Sequence, residues 1–423
     1  MGLLCLYRYS QTSGFRSIRS CIPNLKGFTD VHECLEEGRN RFHLSKLTFL
    51  LATLLSFVLM TAQVACGTPS QSGTSTPLPS GTWTIVNSPN GSLPDSVLNS
   101  VAVVSAKDIW AAGVSNCRND TCSQTLIEHW NGSQWSVVTS PNAKGTFNAT
   151  NYLAVISAND IWAVGGTSDV HSYNAQTLIE HWNGSQWNIV TSPNPGSHQN
   201  DLNSSVAISK NDVWAVGDFG STGSSIVKTM VLHWNGLQWS AVQSPSAGSL
   251  YAVTAVSKND IWAVGVYGSP SKTLIEHWNG ARWSVVTSPN VGTNDNVLGA
   301  VTAVSANDIW AVGGYEGTKT LIEHWNGARW SVVTSPNVGP TGNFLGAVTA
   351  ISASDIWAVG GYLLADGNVQ TLIEHWNGTS WSVVASPNGS SDDFFNNVAA
   401  GSANDIWAVG GEEGTNTLIA HCC

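Results

Sequence analysis

Charge is scarce in this 423-residue chain: Asp, Glu, Lys and Arg together make up 11 % of it. Disordered chains need high charge and few aromatics, whereas 20 Trp and 42 % hydrophobic residues suit a packed interior. Basic residues are scarcest beyond residue 65, where ten Lys/Arg face twenty-four Asp/Glu, a balance of −14, while residues 1–65 carry +3. Such a surface repels a phosphate backbone, which argues against a nucleic-acid partner. Only Arg118, Arg282 and Arg329 occur after residue 65, too few and too scattered to clamp a carboxylated sugar. Among the eight cysteines no Cys-x-x-Cys is answered by a second one or by a spaced His pair, so no structural zinc site is expected.

Long apolar runs are also lacking, with one exception. Leu47–Ala65 has no charge and follows Arg39, Arg41 and Lys46, the order of a secretory signal or signal anchor with its basic end in the cytoplasm. Ala65-Cys66-Gly67 and a Thr/Ser/Pro-rich stretch come next. This junction resembles a bacterial lipoprotein signal, which would make Cys66 a lipidation candidate, although Gln63 stands where that motif has an aliphatic residue. The expected division is therefore 1–46, a cytoplasmic or misassigned extension; 47–65, the targeting segment; 66–80, a flexible linker; and 81–423, one folded domain outside the cytoplasm. Cys117 and Cys122 share one short loop (CRNDTC) and are candidates for a local disulfide in an oxidising compartment.

The domain itself is a repeat. Asp-Ile/Val-Trp-Ala recurs at Asp108, Asp160, Asp212, Asp260, Asp308, Asp355 and Asp405, at intervals of 47 to 52 residues, a spacing typical of propeller blades. Each copy holds four short alternating runs separated by Gly, Asn and Pro. In the fifth unit they predict strands over Leu298–Ser305, Ile309–Gly313, Thr320–Trp325 and Trp330–Ser335, the last two joined at Asn326-Gly327. The final unit stops at His421, one strand short, and the missing strand, Trp83–Ser88, stands ahead of the first unit. A linear solenoid has no reason to carry complementary halves at its two ends. The expectation is an all-β, seven-bladed β-propeller with four antiparallel strands per blade, its last blade closed by the N-terminal strand 83–88. All 20 Trp fall on this repeat, and Cys422 occupies the place of the absent twenty-first.

The pattern D-I-W-A-V-G followed by H-W-N-G-x-x-W resembles tectonin-type propeller repeats, and the N-G-x-x-W turn is similar to the Asp-box of sialidase-like propellers, without its Ser-x-Asp. The likeness covers residues 81–423 and implies carbohydrate or cell-surface recognition.

Each unit contains Ser, Asp and His, as in Ser105, Asp108 and His129. One such set reads as a hydrolase triad; seven equivalent sets read as a structural device, with the His hydrogen-bonded to the Asp corner. The Glu-His pairs, such as Glu128-His129, point to opposite faces of a strand and cannot chelate one ion. They are expected to be structural or to lie on a solvated face. Loop carboxylates are scattered over different units, and no catalytic pair is identified. The A–B and C–D turns barely vary, whereas the B–C and D–A connections vary in length and composition. Because those two connections emerge together, one face is individualised, and loops on a rigid frame are where binding resides. The aromatics there, taken as free of core duty, are Phe147, His171, Tyr173, Phe219, Tyr267, Tyr315, Phe344, Tyr362, Phe394 and Phe395. Those singled out for ligand contact are His171, Tyr173, Phe219, Tyr267, Tyr315, Tyr362 and Phe394. The reading is a monomeric, non-enzymatic binding propeller without metal or cofactor, anchored in the membrane or secreted, that takes a glycan, a cell-wall polymer or a protein. The alternative is a polysaccharide hydrolase or lyase using loop carboxylates at the channel mouth.

Overall fold

The computed structural model describes residues 82–93, 95–116, 123–143, 147–169, 174–221, 227–339, 341–389, 392–412 and 416–422. The segments 1–46, 47–65 and 66–80 lie outside them, as do Cys66, Cys117, Cys122, His171 and Tyr173.

The repeat folds as its alternation dictates. In the first unit Ile109 and Ala111 face one neighbouring sheet and Trp110 and Ala112 the other, all four buried. A sheet buried on both faces must be covered twice, and the ring of blades does this. The described residues form seven four-stranded antiparallel sheets, whose strands are called A to D outward from the centre. Blade one is β2 (Asp95–Ser105), β3 (Asp108–Asn116), β4 (Ser123–Trp130) and β5 (Trp135–Val137). Five more blades repeat this order through β25 (Trp381–Val384).

The seventh blade is shared between the chain ends. It runs β26 (Asp393–Ser402), β27 (Asp405–Glu412), β28 (Asn416–Cys422), then β1 (Thr84–Ile85). Thr84 lies opposite His421 and Ile85 opposite Ala420, and the Val86 N–H donates to the Ile419 carbonyl at 2.8 Å. The pairing is shorter than the 83–88 expected. Trp83 is buried at 5 % exposure, but beyond Val86 the chain leaves the ladder for Ser88-Pro89-Asn90. All D strands are this short, two to four residues, and three or four residues beyond each comes a proline, which lacks the amide that a longer ladder would need. The same proline blunts an outer edge that would otherwise recruit another chain.

Two devices join neighbouring blades. Every strand A has a β-bulge at one place, between Leu98 and Ser100 in blade one. In four blades the skipped residue is asparagine: Asn99, Asn151, Asn203 and Asn396. Each donates Nδ2 to a strand A carbonyl of the next blade (Thr150, Leu202, Leu250 and Leu98) at 2.8–3.0 Å. The last of these bonds closes blade seven on blade one. One residue further on, Ser100 and Ser204 accept from Leu153 and Val253 N–H, and Asn397 Oδ1 accepts from Val101 N–H. Asn397 is also within hydrogen-bonding reach of Tyr152, two blades away, whose hydroxyl pKa burial raises.

The second device is tryptophan. The strand B indole of each blade meets the strand D indole of the next edge-on, with centroids 5.4–5.8 Å apart. At six of the seven boundaries a strand C indole lies 4.9–5.3 Å from it as well. The exception is Trp357, which has Cys422 nearby instead. A buried indole contributes roughly 5 kcal/mol of transfer free energy at about 25 cal/mol per Å². None of the seven strand D indole N–H groups finds an oxygen or nitrogen partner among the described residues; the edge-on ring contact is what they have.

Candidate functional site

The uniform face is a hydrogen-bonded scaffold. In all seven blades the repeat Asp takes the strand C histidine Nε2 at 2.7–3.0 Å. In blade one the imidazole also lies against the strand B indole, 4.3 Å between centroids, and that indole N–H donates to the same Asp108 oxygen. The triad serine plays no part in this: Ser105 Oγ accepts from the Lys107 N–H, closing the A–B turn. In the C–D turns, asparagines such as Asn326 accept two backbone N–H groups while Gly327 takes φ +88°, a conformation that costs glycine little.

The glutamates of the Glu-His pairs are not on a solvated face. Glu128, Glu180, Glu276, Glu323 and Glu374 are at most 1 % exposed. Each sits opposite a strand B alanine (Ala111 for Glu128) and so points into the boundary with the preceding blade. There a strand C threonine and the Ser before the proline that follows strand D are paired, as Thr229 and Ser244 at 2.5 Å. That serine donates to the next blade's glutamate: Ser88 to Glu128, Ser244 to Glu276 and Ser335 to Glu374, at 2.7–3.0 Å. Among the described residues neither carboxyl oxygen of Glu180 or of Glu323 has a hydrogen-bond partner. Burial pushes Glu128 up to about 7 and Glu180, Glu323 and Glu374 to about 8, while the serine bonds on Glu128 and Glu374 pull the other way. At neutral pH most of these groups are therefore neutral acids.

The variable face is built from the B–C and D–A connections, tied to each other at their bases. The Asn296 N–H donates to the Ser271 carbonyl and the Asn343 N–H to that of Thr318. Loop carboxylates serve the same purpose, Asp295 accepting from Ser271 N–H and Asp392 from Val369 N–H, while Asp366, accepting from Asn368 N–H, closes its own B–C turn. Asp393, fully buried, accepts from Gly389 N–H. Among the described residues no group of three or more His, Cys, Asp or Glu is placed to hold a metal ion.

The aromatic residues expected on this face divide. Tyr267 is 41 % exposed at the end of its strand. Tyr315, Tyr362 and Phe219 are half-buried, with one side against the blade cores, and Tyr362 donates its hydroxyl to Gln370 at 2.8 Å. Phe147 is half-buried at the start of its strand. Phe394 is a correction, together with Phe344 and Phe395: all three are buried. Phe344 and Phe394 join Val97, Val114 and Ala149 in one cluster. Their rings cover Gly361 and Gly411, where a Cβ would come within 3.0 Å of the aromatic carbons. The physical reason is strand length. Strand A begins earlier than expected, at Asn296 in blade five and at Thr341 and Asp393 in blades six and seven, so these phenylalanines are strand residues and not loop residues.

No protein-family model matches this sequence, and no curated protein matches it. Among solved structures the chain is similar to YCF48 bound to a D1 peptide, with a TM-score of 0.52 and 13 % identity over 80 % of this chain and 94 % of that one. At that identity the likeness carries the propeller fold and nothing finer.

Proposed function

We propose that this protein is a non-enzymatic binding propeller, displayed outside the cytoplasm, that takes a partner on its variable face. The observation that carries the reading is the contrast between the two faces. One spends its polar side chains on seven copies of the same Asp-His-Trp corner. The other differs from blade to blade and leaves Tyr267, Tyr315 and Tyr362 accessible to different degrees. A rigid frame with individualised loops is how recognition surfaces are built. The loop carboxylates that close turns, Asp295, Asp392 and Asp393, are poorly suited to acid–base work, which favours the non-catalytic reading over a polysaccharide hydrolase. A protein partner is favoured by the fold's likeness to a propeller that holds a peptide; the tectonin-like repeat keeps a glycan as the second ligand class.

The test is a parallel screen of the full chain on peptide and glycan arrays, repeated with Tyr267→Ala, Tyr315→Ala and Tyr362→Ala on one face and Arg282→Ala and Arg329→Ala on the other. Ligands lost with the tyrosines and kept without the arginines support the reading. Ligands lost only with the arginines overturn it.

A further inference from the structure

Five blade boundaries hold a buried glutamate, and the one between blades four and five differs from the rest. At three of them a serine of the preceding blade donates to the carboxyl: Ser88 to Glu128, Ser244 to Glu276 and Ser335 to Glu374. Glu180 and Glu323 have no such bond among the described residues, and both are at most 1 % exposed. The C–D turns differ too. Gln134, Gln186 and Ser380 stand where blades four and five have Arg282 and Arg329. Of the five boundaries, only that between blades four and five combines an unbonded acid with an arginine.

The same boundary holds a groove of about 520 Å³, a size within the range of small-molecule sites. Val286, Ser288 and Pro289 of blade four line one side, and Trp325, Ala328 and Arg329 of blade five the other. Trp325 lies opposite Trp330, and Glu323 opposite Val332. Alternate residues of a strand share a face, so the Glu323 carboxyl is on the face of strand C that carries the groove's half-buried indole. Ser288 occupies the place from which Ser244 and Ser335 reach their glutamates, but its hydroxyl is paired with Thr273 at 2.6 Å. Glu323 therefore stands behind Ser288, at the inner side of the groove. Burial pushes it up to about 8, and a neutral acid has an O–H to donate. Leaving that donor unpaired away from water costs free energy. Arg329 is the one charged side chain that lines the groove, and a guanidinium matches a carboxylate.

We infer that this groove binds a small organic acid with an aromatic or branched body, its carboxylate paired with Arg329 and accepting from Glu323, its body against Trp325 and Pro289. A cation would be repelled by Arg329, and a neutral apolar molecule would leave both polar groups unanswered. The groove reaches the C–D turn of blade five and not the variable loops, so it is a second site, additional to the one proposed above.

The experiment titrates the full chain with phenylacetate, phenylacetamide and phenethylamine by ligand-observed NMR. Phenylacetate should bind at least about fivefold more tightly than the other two. Arg329→Gln should weaken it about tenfold. Arg282→Gln, at the same turn position in blade four, should change it by less than about twofold. Glu323→Leu should weaken it about fivefold, and Glu323→Gln, which keeps a donor, by less than about twofold. The leucine variant should fold, because blade three carries Leu232 at this position. Equal binding of the three probes, equal loss with both arginines, full affinity in Glu323→Leu or no saturable binding of phenylacetate would each overturn the inference. The variable-face reading is judged separately: binding that follows Arg329 alone, and is indifferent to Arg282 and to Tyr267, Tyr315 and Tyr362, reports on the groove and not on that face.

Discussion

The buried glutamates make stability fall as pH rises, and Glu180→Gln isolates the effect. A carboxyl whose folded-state pKa is raised contributes stability fully below its unfolded pKa and loses it as pH rises through the folded value. For Glu180 those limits are 4.5 and about 8. Between them the folded protein keeps a proton that the unfolded chain has released, and stability drops by about 1.4 kcal/mol per pH unit for this one group. The full span corresponds to roughly 5 kcal/mol. Glutamine has the shape of the protonated acid and cannot ionise. The variant should therefore match the parent near pH 4.5, become progressively more stable than it up to pH 8, and hold that advantage above. Urea denaturation at a series of pH values, read by tryptophan fluorescence, measures both curves, and their difference cancels the histidines. Parallel curves, or a variant that loses stability relative to the parent from pH 5 to 8, would refute the burial of this group as an acid.

Three other outcomes follow from the packing. Trp83→Ala, at the seam of the ring, should cost about 3–5 kcal/mol in the same assay despite its place near the start of the domain. Phe394→Ala should cost a similar amount, whereas Tyr267→Ala should stay within about 0.5 kcal/mol, as expected of an exposed side chain. Asn396→Ala removes the bond from Asn396 Nδ2 to the Leu98 carbonyl, one of the inner bonds from blade seven to blade one, and should destabilise by about 1 kcal/mol, with faster amide exchange at Val101 and its neighbours.

The fold was legible because its strongest signal is periodic, and because Trp83–Ser88 and Leu418–His421 are complementary fragments of one unit. For the glutamates the sequence leaves a structural place and a solvated face both open, and the buried one is correct; the clue that decides is that blade three has Leu232 and blade seven Ala420 at that position, both fully buried. A site that accepts Leu in place of Glu is an apolar one. Phe394 falls in a loop only if strand A starts at Leu298 and its equivalents, whereas in blade seven it starts at Asp393. Aligning Phe395 with Leu98 would have placed Phe394 beside Val97, on the strand. The asparagine clasps went unnoticed, yet Asn99, Asn151, Asn203 and Asn396 each stand nine residues before the repeat Asp. What they bond to depends on the bulge, which no local propensity signals.

The seam between Thr84–Ile85 and Ala420–His421 also bears on how such a chain evolves. Because the break falls between the third and fourth strands of one blade, copying or deleting any internal stretch of one repeat length leaves the clasp untouched. The identical stretches Thr273–Gly292 and Thr320–Gly339 have the form such a copying event would leave. Growth and shrinkage of the wheel are thus separated from its fastening, and each newly inserted wedge arrives with a fresh pair of loops on which selection can act.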